Sequence, residues 1–175
     1  MAPIIRLATG LVLLAGLGSS ACAAELPLEY AVKASYLYKF APFVQWPPTA
    51  FESPGAPLTI CVAGPDPFGP ALGDAVKGQR VNGHPIAVRH VEAVRAGMPC
   101  QILFVAGDET EEDLRAIAHD PILTVTDRAR GSTGGMIQFV MVGGRVRFAI
   151  NQAAAQDSGI AISSKLLGLA LSVNR

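Results

Sequence analysis

The sequence has little that marks an enzyme or a nucleic-acid-binding protein. Lys and Arg together number 14, and so do Asp and Glu, so the formal net charge is zero. This balance gives no electrostatic reason to expect nucleic acid or anionic lipid as a partner. The histidines, His84, His90 and His119, show no metal-ligand spacing. There is no G-x-S-x-G elbow and no P-loop, so we expect no catalytic residue, no metal site and no cofactor.

Long apolar runs are also scarce. The run from Leu11 to Leu17 is far shorter than the roughly 20 residues that a bilayer-spanning helix needs, so an uncleaved membrane anchor is disfavoured. It follows a single arginine, Arg6, and precedes small residues, a pattern typical of secretory signal peptides. We therefore expect residues 1–24 to be a signal peptide and residues 25–175 to form one domain outside the cytoplasm. Lipidation of Cys22 is the alternative to cleavage near Ala24.

Cysteine is sparse, with three residues in the chain. Cys22 falls within the expected signal peptide, which leaves Cys61 and Cys100 as an even pair. Secreted proteins fold in oxidising compartments, so we expect these two residues to form a disulfide. The alternative is a pair of buried thiols.

Strand-like runs alternate with helix-like segments along most of the chain. Short apolar runs bounded by Gly, Pro or Asp predict strands, which fall at residues 57–64, 84–91, 101–107 and 121–127. Two apolar runs around Gly143 and Gly144 predict a β-hairpin. The segment SSKLLGLALSV, residues 163–173, is interpreted as a last helix, with inward leucines at Leu166, Leu167, Leu169 and Leu171.

This alternation predicts one α/β domain. Helices between strands favour parallel β-α-β units, and the hairpin adds an antiparallel edge. The expected fold is a three-layer α/β/α sandwich with a mostly parallel sheet and a C-terminal antiparallel hairpin. If its first and third strands are neighbours, Cys61 and Cys100 lie close enough to be bridged.

Aromatic residues make up only 6% of the chain, yet five of them fall in YLYKFAPFVQWPP, residues 36–48. The first helix is predicted over residues 25–41, and a helical wheel gives it two apolar faces. One face carries Tyr30, Ala34, Leu37, Tyr38 and Ala41, and the nearly opposite face carries Val32, Tyr36, Phe40 and Phe43. One apolar face can pack on the sheet, and the other needs a second surface to pack against, so we expect a dimer or partner interface. We assign Tyr36, Phe40, Phe43 and Trp46 to it. The alternative is that later helices of the same chain cover these rings.

Three acidic residues follow predicted parallel strands. They are Asp66, Asp108 and Asp127, at the sheet edge where open α/β folds place ligands. A ligand crevice lined by these carboxylates is one interpretation. The other is that each Asp serves a cap or a turn.

Several blocks along the chain resemble the YfiR family of periplasmic regulators. They are EYAVKASYLYKFAPFVQWP, ICVAGPDPFG, CQILFV, PILTVTD, GGMIQFV, RVRFAIN and ISSKLLGLA. The resemblance implies a periplasmic α/β protein, often dimeric, that binds the periplasmic domain of an inner-membrane diguanylate cyclase and holds it inactive. Cyclic di-GMP and biofilm formation then fall, and an outer-membrane lipoprotein can sequester the repressor. Cys61 and Cys100 match a cysteine pair that recurs in the family, and a second pair near the C-terminal hairpin is missing.

The expected function is therefore that of a periplasmic binding protein that inhibits a membrane-bound signalling protein. The resemblance points first to a diguanylate cyclase and also admits a sensor kinase, and it implies a homodimer. The alternative is a periplasmic small-molecule sensor or solute-binding protein that uses the crevice at the carboxyl ends of the strands.

Overall fold

The computed structural model describes residues 28–175, so the expected signal peptide and Cys22 lie outside it. Its helices are α1 (Leu28–Phe40), α2 (Pro70–Val76), α3 (Thr110–Ala116), α4 (Gln152–Asp157) and α5 (Ser164–Leu167). Its strands are β1 (Val44–Gln45), β2 (Leu58–Ala63), β3 (Arg80–Val81), β4 (His84–Val91), β5 (Ile102–Val105), β6 (Leu123–Asp127), β7 (Ile137–Val142), β8 (Arg145–Asn151), β9 (Ala161–Ile162) and β10 (Ser172–Asn174). None of the helices in this range has the length and apolar character that crossing a bilayer requires.

Eight strands form one sheet in the order β10-β8-β7-β6-β5-β2-β4-β3. The five strands from β7 to β4 in this order run parallel to one another. β8 is antiparallel to β7, β3 is antiparallel to β4, and β10 lies parallel to β8 at the opposite edge. The predicted α/β class, with a mostly parallel sheet and a C-terminal antiparallel hairpin, is confirmed. β1 and β9 form a separate two-stranded pair.

The side chains of the central strands alternate between two apolar layers, as the period of two in a strand requires. In β2, Ile60 and Val62 face the larger layer, to which α1 and α2 also contribute. Cys61 and Ala63 face the smaller layer, which includes Ile117 just after α3. Helices therefore cover both faces of the sheet, and the sandwich has three layers.

The expected disulfide is confirmed. Cys61 lies in the middle of β2, and Cys100 lies just before β5, the strand that pairs with β2. Their Cα atoms are 5.9 Å apart, and both residues are buried in the smaller apolar layer. The bridge therefore links β2 to the residues that lead into its neighbour β5.

The predicted last helix is wrong after Leu167. α5 ends there, and Gly168 follows as its C-terminal cap. The Leu171 N–H then donates to the Phe148 carbonyl at 2.8 Å, and the chain joins the sheet as β10. Glycine has little helix propensity, and edge pairing offers the following residues backbone partners. Leu169 and Leu171, expected to face inward, are 59% and 50% exposed.

Candidate functional site

The carboxyl edge of the parallel sheet does not assemble the three expected aspartates into one crevice. Asp66 accepts a hydrogen bond from the Phe68 N–H at 2.8 Å, and its other carboxylate oxygen lies 2.9 Å from His90 Nε2. Asp108 is exposed. Within residues 28–175, no group of three His, Cys, Asp or Glu residues is arranged to hold a metal ion.

Asp127 lies in the interior, so the prediction that it lines a ligand crevice is wrong. Both Asp127 and Lys33 have side chains with 0% exposure, and their charged atoms are 2.6 Å apart. The second carboxylate oxygen of Asp127 accepts from the Ala129 N–H at 3.1 Å. Lys33 also forms an ion pair with Glu29 one helical turn earlier. A buried carboxylate needs partners of this kind, so Asp127 anchors α1 to the end of β6 and does not line an open site.

The buried Lys33 carries its charge. Burial alone lowers the pKa of this ammonium, but its hydrogen bonds to Asp127 and Glu29 and the charges of both carboxylates outweigh burial. The pKa of Lys33 is therefore above its ordinary value. The ammonium also lies 4.9 Å from the centre of the Tyr30 ring, a cation–π contact.

The expectation that Phe40 belongs to a dimer or partner interface is also wrong. It came from the helical wheel, which placed this ring on the outer face of α1. Phe40 is 1% exposed, and it stacks on Phe139 and packs edge-on against Phe148, with ring centres 5.9 and 5.2 Å away. Phe139 lies in β7 and Phe148 in β8, so the hairpin strands cover this ring. Tyr36, which stacks on Phe40 at 5.7 Å, is half-buried and borders the protein surface.

The other two rings assigned to the interface lie further along the chain. Phe43 and Trp46 are half-buried and pack against the larger apolar layer. Trp46 meets Phe51 edge-on at 6.4 Å. Its indole N–H is buried and has no hydrogen-bond partner among the described residues. Trp46 and Tyr36 line different cavities, so the four rings do not form one continuous surface.

The exposed apolar surface lies between α1 and the β7–β8 hairpin. An open groove of about 650 Å³ separates these elements, and we call it the apolar groove. Its apolar lining comes from α1 (Leu28, Val32, Tyr36), from the hairpin (Met141, Val146, Phe148) and from Leu169. Four of these seven side chains are exposed to water, and Leu28 is 80% exposed. Exposed apolar patches of this kind mark sites of association.

Within residues 28–175, six large apolar side chains are exposed. They are Leu28, Val32, Met141, Val142, Leu169 and Leu171. They come from the start of α1, the tip of the hairpin and the segment before β10. Only Val32 belonged to the face that the wheel singled out. Met141 and Leu169 were missed because apolar residues in a strand or a helix are normally assigned to the core.

A smaller cavity of about 300 Å³ lies at the amino edge of the parallel sheet, near the first residues of β2, β5 and β6. Two of its polar side chains bond to backbone groups of the same chain. The Gln101 side chain accepts from the Thr59 N–H and donates to the Ala50 carbonyl. Asp120 accepts from the Gly97 N–H at 2.7 Å. These groups brace loops, and the apolar groove is the better candidate for a binding site.

The sequence profile of the family described as YfiR/HmsC-like matches residues 30–171, a range that includes α1 from its third residue onward, the β7–β8 hairpin and the segment before β10. No curated protein matches the chain significantly.

Proposed function

The chain belongs to the YfiR/HmsC-like family, and we propose that it is a periplasmic regulatory binding protein without catalytic activity. In this proposal it docks on the periplasmic domain of an inner-membrane signalling protein, a diguanylate cyclase in the first instance, and holds that protein inactive. Homodimer formation, a sensor kinase as an alternative target and sequestration by an outer-membrane lipoprotein belong to the same proposal.

The exposed apolar groove is the observation that carries this proposal. A folded domain loses free energy by leaving large apolar side chains in water, at about 25 cal/mol for each Å² that association could bury. Three separate segments of this chain nevertheless expose such side chains around a single groove. A partner protein that covers the groove recovers this free energy, and large side chains at the centre of such a patch carry most of the affinity.

Inhibition then follows from preferential binding. A signalling protein that exchanges between an active and an inactive arrangement shifts toward the arrangement that the regulator binds more tightly. A shift from mostly active to mostly inactive needs a difference in affinity of about 10⁴-fold. The groove therefore has to bind the inactive arrangement of the periplasmic domain more tightly than the active one.

The test replaces two exposed residues of the groove, Leu28→Ser and Leu169→Ser, in one variant. Because both side chains are exposed, we expect its free energy of unfolding to stay within about 0.5 kcal/mol of the wild type. Its affinity for the purified periplasmic domain of a membrane-bound diguanylate cyclase from the same genome should fall at least tenfold, measured by calorimetry.

The matched control carries Lys77→Ser and Arg95→Ser, two exposed residues outside the groove. It should bind and repress like the wild type. Unchanged binding and unchanged cyclase repression in the groove variant would contradict the proposed docking surface. Failure of the wild type to bind any such domain would contradict the proposed function.

A further inference from the structure

Strand β8 has an open edge beside the apolar groove. It pairs with β7 along its whole length, but β10 begins only opposite Ala149. The Phe148 carbonyl points toward the β10 side, where it accepts from the Leu171 N–H. Backbone groups of a strand alternate in direction, so the N–H and C=O of Val146 point to that side as well. Among the described residues, no strand lies next to Val146.

The side chains at this edge differ between its two faces. Val146 lies opposite Met141 and lines the groove. Arg145 and Arg147 alternate with it and are exposed, and both also border the groove, as does Glu29 of α1. Within residues 28–175, neither arginine belongs to an ion pair. Successive side chains leave a strand on opposite faces, so this edge presents the apolar side chain of Val146 on one face and the cationic side chains of the two arginines on the other.

We propose that the open edge of β8 binds an extended segment of the partner in which acidic and apolar side chains alternate. The segment adds a strand beside Val146, with its apolar side chains toward the groove and its carboxylates toward Arg145 and Arg147. Main-chain hydrogen bonds supply affinity in this mode of recognition, and alternate side chains supply specificity. This inference rests on the proposed function, since it names the chemistry of the docking segment.

Charge argues against a second copy of this chain as the occupant. Twofold antiparallel pairing centred on Val146 sets Arg145 of one copy directly opposite Arg147 of the other, twice. Like charges directly opposite each other destabilise a strand pair, whereas opposite charges stabilise it. Charged side chains on an edge strand also discourage pairing with unrelated strands. The two arginines therefore select a carboxylate-bearing partner and reject self-association at this edge.

The first test uses two fluorescein-labelled heptapeptides, Glu-Val-Glu-Val-Glu-Val-Glu and the same peptide with Lys in place of Glu. By fluorescence anisotropy, the wild type should prefer the Glu peptide about tenfold, and the double variant Arg145→Glu, Arg147→Glu should prefer the Lys peptide about tenfold. A control with the same change in charge, Lys77→Glu and Arg95→Glu, should keep the wild-type preference. Equal binding of the Glu peptide by the wild type and by the Arg145→Glu, Arg147→Glu variant would overturn the inference.

A second test removes the outward donor with Val146→Pro. Proline is tolerated on an edge strand where its missing N–H faces solvent, so the β7–β8 bonds and the melting temperature should be retained. Binding of the Glu peptide should fall at least tenfold. Slowed hydrogen exchange of the Val146 amide when the wild type binds the peptide would support strand addition. Unchanged peptide affinity in this variant would overturn it.

The two proposals can fail separately. If the periplasmic domain of the cyclase binds the wild type and the Arg145→Glu, Arg147→Glu variant equally, the proposed function stands and the β8 inference is wrong. If that domain binds neither protein while the peptide preference reverses as expected, the edge specificity stands and the proposed partner is wrong.

Discussion

Replacing Asp127 with Ala should destabilise the protein by about 3 to 5 kcal/mol, because the change leaves the ammonium of Lys33 buried without its closest counter-charge. Lys33 and Asp127 both have fully buried side chains, and the bond between them joins α1 to the carboxyl end of β6. Glu29 remains as a partner, but it is partly exposed. Urea denaturation at neutral pH measures the free energy of unfolding directly.

Two companion variants separate the charge effect from simple loss of packing. Lys33→Met with Asp127→Leu removes both charges and fills their space, so it should recover most of the stability lost in Asp127→Ala. Lys39→Met changes an exposed lysine on the same helix and should cost less than about 0.5 kcal/mol. A loss below about 1 kcal/mol in Asp127→Ala would contradict a structural role for this ion pair.

The raised pKa of Lys33 also gives this pair a defined pH dependence. A group whose pKa is higher in the folded state contributes its full stability below the pKa of the unfolded state, about 10.4 for lysine. That contribution disappears as the pH rises through the higher pKa of the folded state. The wild type should therefore lose stability at alkaline pH faster than the variant with both Lys33→Met and Asp127→Leu. Parallel pH curves for the two proteins would contradict this expectation.

Removing the disulfide with Cys61→Ala and Cys100→Ala should cost about 4 kcal/mol. The bridge closes a separation of 39 residues, and the chain-entropy model assigns about that much to a loop of this length. Alanine avoids the buried hydroxyl that serine would place in the smaller apolar layer. Unfolding of the wild type in the presence of reductant should approach that of the variant, and the variant itself should not respond to reductant.

The functional consequence of losing the bridge should be indirect. Neither cysteine lines the apolar groove, so variant molecules that remain folded should bind the partner domain normally. Repression should fall only in proportion to the folded fraction, which a temperature series can measure. A double variant that is as stable as the wild type but does not repress would show that the bridge itself takes part in regulation.

The sequence predicted the parts of the fold that depend on local signals. β4 occupies residues 84–91, the range expected from its apolar run, and the hairpin turns at Gly143 and Gly144 as expected. The disulfide followed from counting the cysteines outside the expected signal peptide. In each case a short segment, or a pair of residues, carries the information by itself.

The parts that were wrong depend on contacts between distant segments. The wheel could not show that Phe139 and Phe148 would enclose Phe40, because those rings come from the hairpin. The position of Asp127 after a strand suggested an open crevice, and only its contact with Lys33 reveals its burial. The groove was partly missed for the same reason, since Leu169 is exposed through an edge pairing that has no local signal.

The position of α1 in the chain has a consequence for biogenesis. In the proposed periplasmic function the chain is exported, and this helix crosses the membrane early, yet its ammonium needs a carboxylate 94 residues later and its aromatic ring is enclosed by strands later still. Until those strands have crossed the membrane, the apolar side of α1 has no cover. Under this proposal the emerging polypeptide completes its export before it can form its core, and the apolar side chains of α1 stay exposed to water in the meantime.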